Sequence, residues 1–223
     1  MKQVIIGILP TSNYMVTDDT FKDTYRFGNN YIKKILENEA LPFLIPLVDE
    51  KMIPDALEMC DGLLVPGGSR IRPVDFEIVD YFYKKKKPIL GICMGMQLLA
   101  MYSVNLKEKK RILKRIDNGF NHWPIELLRS NNTSLVHKDL VVKNSKMYDI
   151  LNRETIEVNS VHHYTISEVG DLFDVSIVSE DGLIEGIECK DSNYFMMGVQ
   201  FHPEILPQFN ELFKRFIIEC KKK

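Results

Sequence analysis

Short apolar runs alternate with longer amphipathic segments through the first half of the chain. The apolar runs have the length of buried strands and cover residues 3–9, 42–46, 62–68 and 88–93. The segments between them are predicted helices, at residues 20–39, 50–59 and 75–87. Strands that alternate with helices predict a mostly parallel central sheet with helices on both faces.

After residue 133 the pattern changes to short β-like runs that are separated by polar turns. These runs are residues 134–142, 156–160, 174–179, 183–188 and 194–201. Because no long helix lies between them, they predict a smaller antiparallel or mixed β region. Residues 207–220 have apolar side chains on one face, which predicts a final helix packed on the sheet. We expect one three-layer α/β domain over residues 1–223, of the flavodoxin-like type.

The composition and the net charge of the chain indicate which classes of binding partner to expect. The chain has 223 residues, of which 45% are hydrophobic and 27% charged, as is usual for globular proteins. Lys and Arg total 29 against 31 Asp and Glu, so no overall field attracts nucleic acid or an anionic membrane. A small-molecule substrate is expected. The first apolar run is too short for a signal peptide, so we expect a cytoplasmic protein.

The four cysteines are widely spaced and form no CxxC pair, so they indicate neither a disulfide framework nor a zinc knuckle. Cys93 lies in Gly91-Ile92-Cys93-Met94-Gly95, between a predicted strand and a predicted helix. This is the Gly-x-nucleophile-x-Gly elbow, whose glycines allow the strand and helix to approach closely. The helix N-terminus favours a thiolate, and the Met94 N–H is aimed at a developing oxyanion. The alternative is a buried structural cysteine on a tight turn.

His202 and Glu204 follow the last apolar run, two residues apart and separated by Pro203. Residues two apart in an extended chain point the same way, so Glu204 can accept a hydrogen bond from His202 Nδ1. His202 Nε2 is then available to take a proton from the cysteine. Alone, His202 would be a surface histidine before a proline; with the elbow, it predicts a catalytic triad.

A glycine pair follows the predicted third strand. Gly67 and Gly68 would let backbone N–H groups approach a substrate oxygen, and Gly68 would complete the oxyanion hole with Met94. A plain turn explains the same pair equally well in isolation.

Four motifs together resemble class I glutamine amidotransferase domains. They are LLVPGG, GICMGMQLL, VNSVHH and GVQFHPE, and the resemblance extends over nearly the whole chain. VNSVHH together with GLIEGIE is similar to the free-standing γ-glutamyl hydrolase branch. This branch is the peptidase C26 group, which includes γ-glutamyl-γ-aminobutyrate hydrolase. The resemblance implies Cys93 as nucleophile, His202 as base and Glu204 as orienting acid, with no metal and no organic cofactor.

The resemblance also implies a set of residues around the γ-glutamyl group. They are Gly67, Gln97, Asn159, Ser160, Val161, His162 and His163. His162 and His163 are predicted to be a poor metal site, because no cysteine or carboxylate cluster is expected beside them. They either shape the pocket or are structural histidines.

Two arginines distinguish this chain from the usual pattern of the branch. The family commonly has an aspartate after the glycine pair, whereas here the sequence is GGSRIRPVDF. Arg70 and Arg72 are candidates to bind a carboxylate or phosphate at the distal end of the leaving amine. The alternative is an ordinary exposed loop. Residues 104–132 either cover the site, with Trp123 as an anchor, or form an exposed connector.

The predicted activity is hydrolysis of a γ-glutamyl amide through a glutamyl thioester, which yields glutamate and a free amine. One alternative is a glutaminase subunit that supplies ammonia to a synthetase partner. A more remote one is an inactive binding or regulatory module. A homodimer is possible.

Overall fold

The computed structural model describes residues 3–11, 26–47, 53–108, 110–116, 122–124 and 133–222. Parts of three predicted segments therefore lie outside the described residues: 20–25, 50–52 and much of 104–132. Across the described ranges, no helix has both the length and the apolar character that crossing a membrane requires.

The first half of the chain forms the predicted alternation of strands and helices. Its elements are β1 (Ile5–Ile8), α1 (Asn29–Glu37), β2 (Leu41–Leu44), α2 (Ile53–Met59), β3 (Gly62–Val65), α3 (Pro73–Lys84), β4 (Ile89–Ile92) and α4 (Met94–Asn105). Helix α3 begins two residues earlier than predicted because Pro73, with its fixed φ, occupies the first helical position. It ends at Lys84, and Lys86 has a positive φ of 53°, which stops the helix short of the predicted residue 87.

The second half is rich in short strands. Its elements are β5 (Leu113–Arg115), β6 (His137–Val141), α5 (Lys146–Leu151), β7 (Thr155–Val158), β8 (Tyr164–Ile166), β9 (Phe173–Ser179), β10 (Ile184–Cys189), β11 (Met196–Val199) and α6 (Asn210–Cys220). The final helix begins at Asn210 rather than 207, since residues Pro207–Phe209 form a separate 3-10 turn.

Within the described part of the chain, nine strands form one sheet in the order β2-β1-β3-β4-β11-β10-β9-β6-β7. The neighbouring pairs from β2 to β11 are parallel, and those from β11 to β7 are antiparallel. The antiparallel region that the sequence predicts thus continues the same sheet. Strand β11 joins the two halves, with Val199 paired to Ile92 of β4. The predicted fold class is confirmed.

Helices pack on both faces of this sheet. Side chains of α1, α5 and α6 form one apolar layer, and those of α2, α3 and α4 form the other. Strands β3, β4 and β11 are buried along their whole length, which explains their continuous apolar sequences. The two buried layers hold the carboxyl ends of these three strands at one edge of the sheet, where ligands bind in folds of this type.

Part of the segment 104–132 belongs to ordered structure rather than to an exposed connector. Strand β5 pairs antiparallel with β8 in a separate two-stranded sheet, with Leu113 opposite Ile166. Arg111, Ile112, Leu113 and Trp123 line a pocket at the same edge of the molecule. Their place in the pocket lining favours the alternative of a cover over the site for these residues.

Candidate active site

Cys93 occupies the elbow between β4 and α4 with a strained backbone, at φ 54° and ψ −109°. Glycine is required at positions 91 and 95 because other backbone segments pass too close to these residues for a side chain to fit. A Cβ on Gly91 would come 2.7 Å from the carbonyl carbon of Gly95, and one on Gly95 would come 2.1 Å from the Val65 oxygen. The Cys93 N–H donates to the Val199 carbonyl at 2.8 Å, which fixes the elbow to β11.

His202 and Glu204 lie just beyond the end of β11. His202 Nδ1 is 2.7 Å from Glu204 Oε1, so the carboxylate accepts a hydrogen bond from the Nδ1–H group and orients the ring. The Asn159 side chain holds the His202 backbone at both ends. It accepts from the His202 N–H at 2.8 Å and donates to the His202 carbonyl at 3.2 Å. The predicted nucleophile, base and acid are therefore brought together.

The pKa of His202 is set by opposing effects. Burial alone would lower it, but the charges of Glu204 and Cys93, with hydrogen bonds to both, raise the pKa well above its usual value. The raised pKa favours the protonated form of the imidazole. In that form it can give a proton to a leaving group.

Tyr31, on α1, is a member of the site that the sequence analysis missed. Its hydroxyl accepts a hydrogen bond from the Gly67 N–H at 3.0 Å and lies 3.5 Å from His202 Nδ1. Burial, with a smaller effect from the Glu204 charge, raises the pKa of Tyr31 well above its usual value, so the phenol stays neutral. A Cβ on Gly67 would lie 2.8 Å from His202 Cε1 and 3.4 Å from Cys93 Cβ. Gly67 is thus the spacer that lets Tyr31, His202 and Cys93 meet.

Gly68 and Met94 lie against each other at the mouth of the elbow. A Cβ on Gly68 would come within 2.9 Å of Met94 Cε, and both residues line the pocket beside Cys93. Their backbone N–H groups remain the predicted oxyanion donors.

The pocket in front of Cys93 has a volume of about 560 Å³. Gln97 lies in its wall, and its amide nitrogen donates to the Tyr164 carbonyl and to Gln200 Oε1, both at 3.0 Å. Trp123 and His163 also line the pocket, and their rings stack with centroids 3.9 Å apart. Val161 and His162 also line the pocket.

Three of the predicted site residues have structural roles instead. Both polar groups of the Asn159 side chain are hydrogen-bonded to the His202 backbone. The Ser160 hydroxyl donates to the His122 carbonyl at 3.0 Å. Neither is among the described residues that line the pocket. Arg72 is held by Asp75 at 2.7 Å and by the Pro10 carbonyl at 2.8 Å, so its expected place at the pocket mouth is wrong.

Arg70 does line the pocket, and so does Arg111. No aspartate or glutamate is among the described residues of the lining. The chemistry of the pocket therefore favours an anionic compound. Arg111 was missed because it lies in a segment without a clear sequence pattern.

His162 is not as isolated from carboxylates as the sequence suggests. Its Nε2 lies 3.4 Å from Glu185 Oε1, and His122 is also adjacent. The reason for excluding a metal there is therefore wrong. Burial lowers the pKa of His162 to about 4, so its ring is neutral. His163 lies apart and stacks on Trp123.

The fold and its similarities assign the chain to the class I glutamine amidotransferase-like proteins. A solved structure described as the glutaminase domain of Trypanosoma brucei CTPS with bound acivicin has the same fold, with a TM-score of 0.70. The two sequences are 17% identical, and the match covers 99% of this chain and 95% of the other. More particularly, the chain belongs to the peptidase C26 family, which its sequence matches over residues 4–79 and 72–204.

Two relatives differ in how much of their length is matched. The Schizosaccharomyces pombe protein named "Putative glutamine amidotransferase PB2B2.05" is 31% identical over 87% of this chain and 84% of its own length. The GMP synthase [glutamine-hydrolyzing] of Dictyostelium discoideum is 34% identical over 71% of this chain but only 21% of its own length. The similarity thus includes proteins of comparable size and one part of a much larger enzyme.

Proposed function

We propose that this protein hydrolyses the amide bond of a γ-glutamyl amide, with Cys93 as nucleophile, His202 as acid and base, and Glu204 as the residue that orients His202. One observation carries the proposal: the strained Cys93 faces the pocket beside a histidine whose Nδ1 is 2.7 Å from a buried carboxylate. Cysteine chemistry on amides is also what membership of the peptidase C26 family supports.

In the first step the Cys93 thiolate attacks the γ-carbonyl carbon. The negative charge moves to the carbonyl oxygen, where the N–H groups of Gly68 and Met94 stabilise it; one such donor contributes about 10²- to 10³-fold in rate. When the C–N bond breaks, His202 gives its proton to the departing amine. A glutamyl thioester remains on Cys93. His202 then takes a proton from water, which attacks the thioester and releases glutamate.

The polar lining supports a substrate with an anionic group. The described residues that line the pocket include Arg70 and Arg111 and no aspartate or glutamate. We infer that the leaving amine carries a carboxylate, as γ-aminobutyrate does. An arginine binds a carboxylate through two parallel N–H groups, which gives direction as well as affinity.

The primary test is release of glutamate from a panel of γ-glutamyl amines and from glutamine. The purified protein is expected to turn over at least one γ-glutamyl amine, and Cys93→Ala to lower kcat by about 10⁴-fold or more. The fold should be kept, which circular dichroism checks. Undiminished activity in Cys93→Ala would disprove the assignment of the nucleophile.

Arg111→Ala tests the preference for an anionic amine. We expect KM to rise about 10- to 100-fold for a γ-glutamyl compound with a distal carboxylate, because one charged hydrogen bond is worth about 1.5 to 3 kcal/mol. KM for the matched uncharged amide should change much less. Lys114→Ala is the control, since Lys114 is an exposed cation of the same segment outside the pocket. Equal effects of Arg111→Ala on both substrates would contradict the preference.

A glutaminase that passes ammonia to a synthetase is the second candidate. The match to a limited part of a GMP synthase favours it. It would use the same three residues but would act on glutamine and be weakly active alone. Turnover of glutamine only, with a rate that rises on addition of cell extract, would favour this function. A pure wild-type protein that binds γ-glutamyl compounds without cleaving them would favour an inactive binding module.

A further inference from the structure

Four potential metal ligands from separate parts of the chain meet behind the pocket wall. We call them the histidine cluster: His122, His137 of β6, His162 and Glu185 of β10. One nitrogen of each ring and one Glu185 oxygen all lie within 4.8 Å of one another. His122 Nδ1 and His162 Nε2 are 3.3 Å apart, and Glu185 Oε1 is 3.4 Å from His162 Nε2.

Each of the three imidazoles is oriented by a partner on its outer nitrogen. His122 Nε2 is 2.8 Å from Asp181 Oδ2, and His137 Nδ1 is 2.7 Å from Asp139 Oδ1. His162 Nδ1 is 3.0 Å from the Tyr164 carbonyl. A carboxylate or carbonyl on the outer nitrogen fixes the tautomer so that the inner nitrogen presents a lone pair. All three rings therefore direct acceptor nitrogens toward one point.

The centre of the histidine cluster is buried and short of hydrogen bonds. The Glu185 side chain has no exposed surface, and those of His122, His137 and His162 are at most 7% exposed. Among the described residues, neither Glu185 oxygen nor His137 Nε2 has a hydrogen-bond partner. A buried polar group without a partner costs several kcal/mol, and an unpaired carboxylate costs more. A cation at the centre would satisfy all of these atoms.

We propose that the histidine cluster binds one divalent transition-metal ion, with Zn²⁺ as the best fit. Three imidazole nitrogens and one carboxylate oxygen suit zinc, whereas Mg²⁺ and Ca²⁺ prefer oxygen ligands. Zinc–ligand distances of about 2.0–2.2 Å place tetrahedral ligand atoms roughly 3.3–3.6 Å apart. The separations of 3.3 and 3.4 Å already match, and that of 3.8 Å between His122 Nδ1 and Glu185 Oε1 is slightly wider. The four ligand atoms as a set lie within 4.8 Å of one another, so the side chains must close around the ion when it binds.

The ion has a structural role, because the protein supplies all four ligands. It joins residues 122–124, β6, β10 and the segment 159–164. That segment holds His202 through Asn159 and lines the pocket through His162. The metal thus fixes the pocket wall without contacting the Cys93 chemistry. This inference does not depend on the proposed amidase function.

Metal content and titration test the site. Wild-type protein is treated with a chelator, checked for folding by circular dichroism, and titrated with Zn²⁺ in a calorimeter. We expect one Zn²⁺ per chain, a rise in Tm on binding, and with Co²⁺ the intense visible absorption of tetrahedral coordination. Folded chelator-treated protein that binds no stoichiometric Zn²⁺ would overturn the proposal.

Variants locate the ion. Glu185→Gln keeps the shape but removes the anionic ligand, and His137→Ala removes a nitrogen; each should weaken Zn²⁺ binding more than about 100-fold, beyond the effect of an outer-sphere change. Asp181 contacts the histidine cluster at the outer nitrogen of His122, so Asp181→Asn should weaken binding about 10- to 100-fold. His163→Ala is the matched control and should bind Zn²⁺ like wild type.

Cys93→Ala separates this proposal from the proposed function. It lacks the nucleophile and should bind Zn²⁺ as tightly as wild type, so loss of activity and loss of metal are independent outcomes. Unchanged Zn²⁺ binding in folded Glu185→Gln and His137→Ala would place the ion elsewhere and refute the site. In that case the histidine cluster would be a hydrogen-bonded network that shares protons.

Discussion

Cys93 is held in a backbone conformation that costs about 1–3 kcal/mol, and its neighbours maintain it. The Cys93 N–H donates a hydrogen bond to the Val199 carbonyl. A side chain at position 91 or 95 would overlap backbone atoms, so glycine is required at both positions. The strain exposes the thiol to the pocket at the end of β4. The surrounding packing thus stabilises a strained conformation of the kind that clusters at functional sites.

Glu204 should control the alkaline limit of activity through His202. In the proposed mechanism the imidazolium donates a proton to the leaving amine, so kcat/KM is expected to fall as the pH rises through the raised pKa of His202. Glu204→Gln removes a negative charge that raises this pKa. The alkaline limb of the pH profile should therefore move to lower pH by about 1 to 2 units. The maximal rate should also fall roughly 10²- to 10⁴-fold, because the ring loses its orientation.

Glu211→Gln is the control for this experiment, because Glu211 is an exposed carboxylate at the start of α6. Its pH profile should match that of wild type. An alkaline limb that stays in place in Glu204→Gln would mean that a group other than His202 donates the proton.

The site residues that could be predicted are those with local partners. Cys93 is recognisable from the glycines two residues away, and Glu204 lies two residues from His202. Tyr31 is 171 residues from His202, and no local motif connects them. Arg72 was assigned to the pocket although its partner, Asp75, lies only three residues on. An arginine and an aspartate flanking a helix start are a signal that could have corrected this assignment.

At the scale of elements, the elbow depends on how closely α4 approaches β3. A Cβ on Gly95, in the first turn of α4, would come 2.1 Å from the Val65 carbonyl oxygen at the end of β3. Backbone atoms of a buried strand have little freedom to move. The contact therefore fixes the height of α4 above the sheet, and with it the position of Cys93.

Gly95→Ala should separate α4 from β3. Alanine favours a helix by about 1 kcal/mol, but the overlap with Val65 exceeds this gain, and we expect a net loss of roughly 3 kcal/mol. For a chain of this size, Tm should fall by roughly 10 °C. Thermal unfolding monitored by circular dichroism measures the change, and kcat should fall with it because Cys93 moves.

Gly182→Ala is the comparison, because a Cβ there has nothing within 4 Å. Its φ of +85° should cost only about 1–2 kcal/mol. A Gly95→Ala protein no less stable than Gly182→Ala would show that close packing at the elbow is not what requires glycine.

The elements that the sequence predicts well are those with strong burial patterns. Strands β3, β4 and β11 are apolar throughout because both faces are covered. Strands β5 and β8 have only three residues each and pair with each other outside the main sheet. Such short strands have too few positions to show a period of two. Their pairing depends on the pocket wall that they help to build.

At the scale of the whole molecule, the position of β11 assembles the site. This strand is last in the chain but lies between β4 and β10. It therefore places His202 and Glu204 beside Cys93, more than a hundred residues earlier in the sequence. The order of strands is determined by long-range pairing, which no local sequence pattern reports. The histidine cluster, assembled across β6 and β10, was missed for the same reason.

The distribution of the four cysteines over the molecule leads to a final prediction. Cys60, Cys189 and Cys220 are buried in the apolar layers, whereas Cys93 lines the pocket next to His202. Native protein treated with iodoacetamide should therefore gain one carbamidomethyl group, at Cys93, and denatured protein should gain four. Intact-mass and peptide mass spectrometry count and locate them. Cys93→Ala should gain none while folded. Labelling of a second cysteine as fast as Cys93 in native protein would mean that the apolar layers open more readily than their packing implies, and that reactivity alone does not identify the nucleophile.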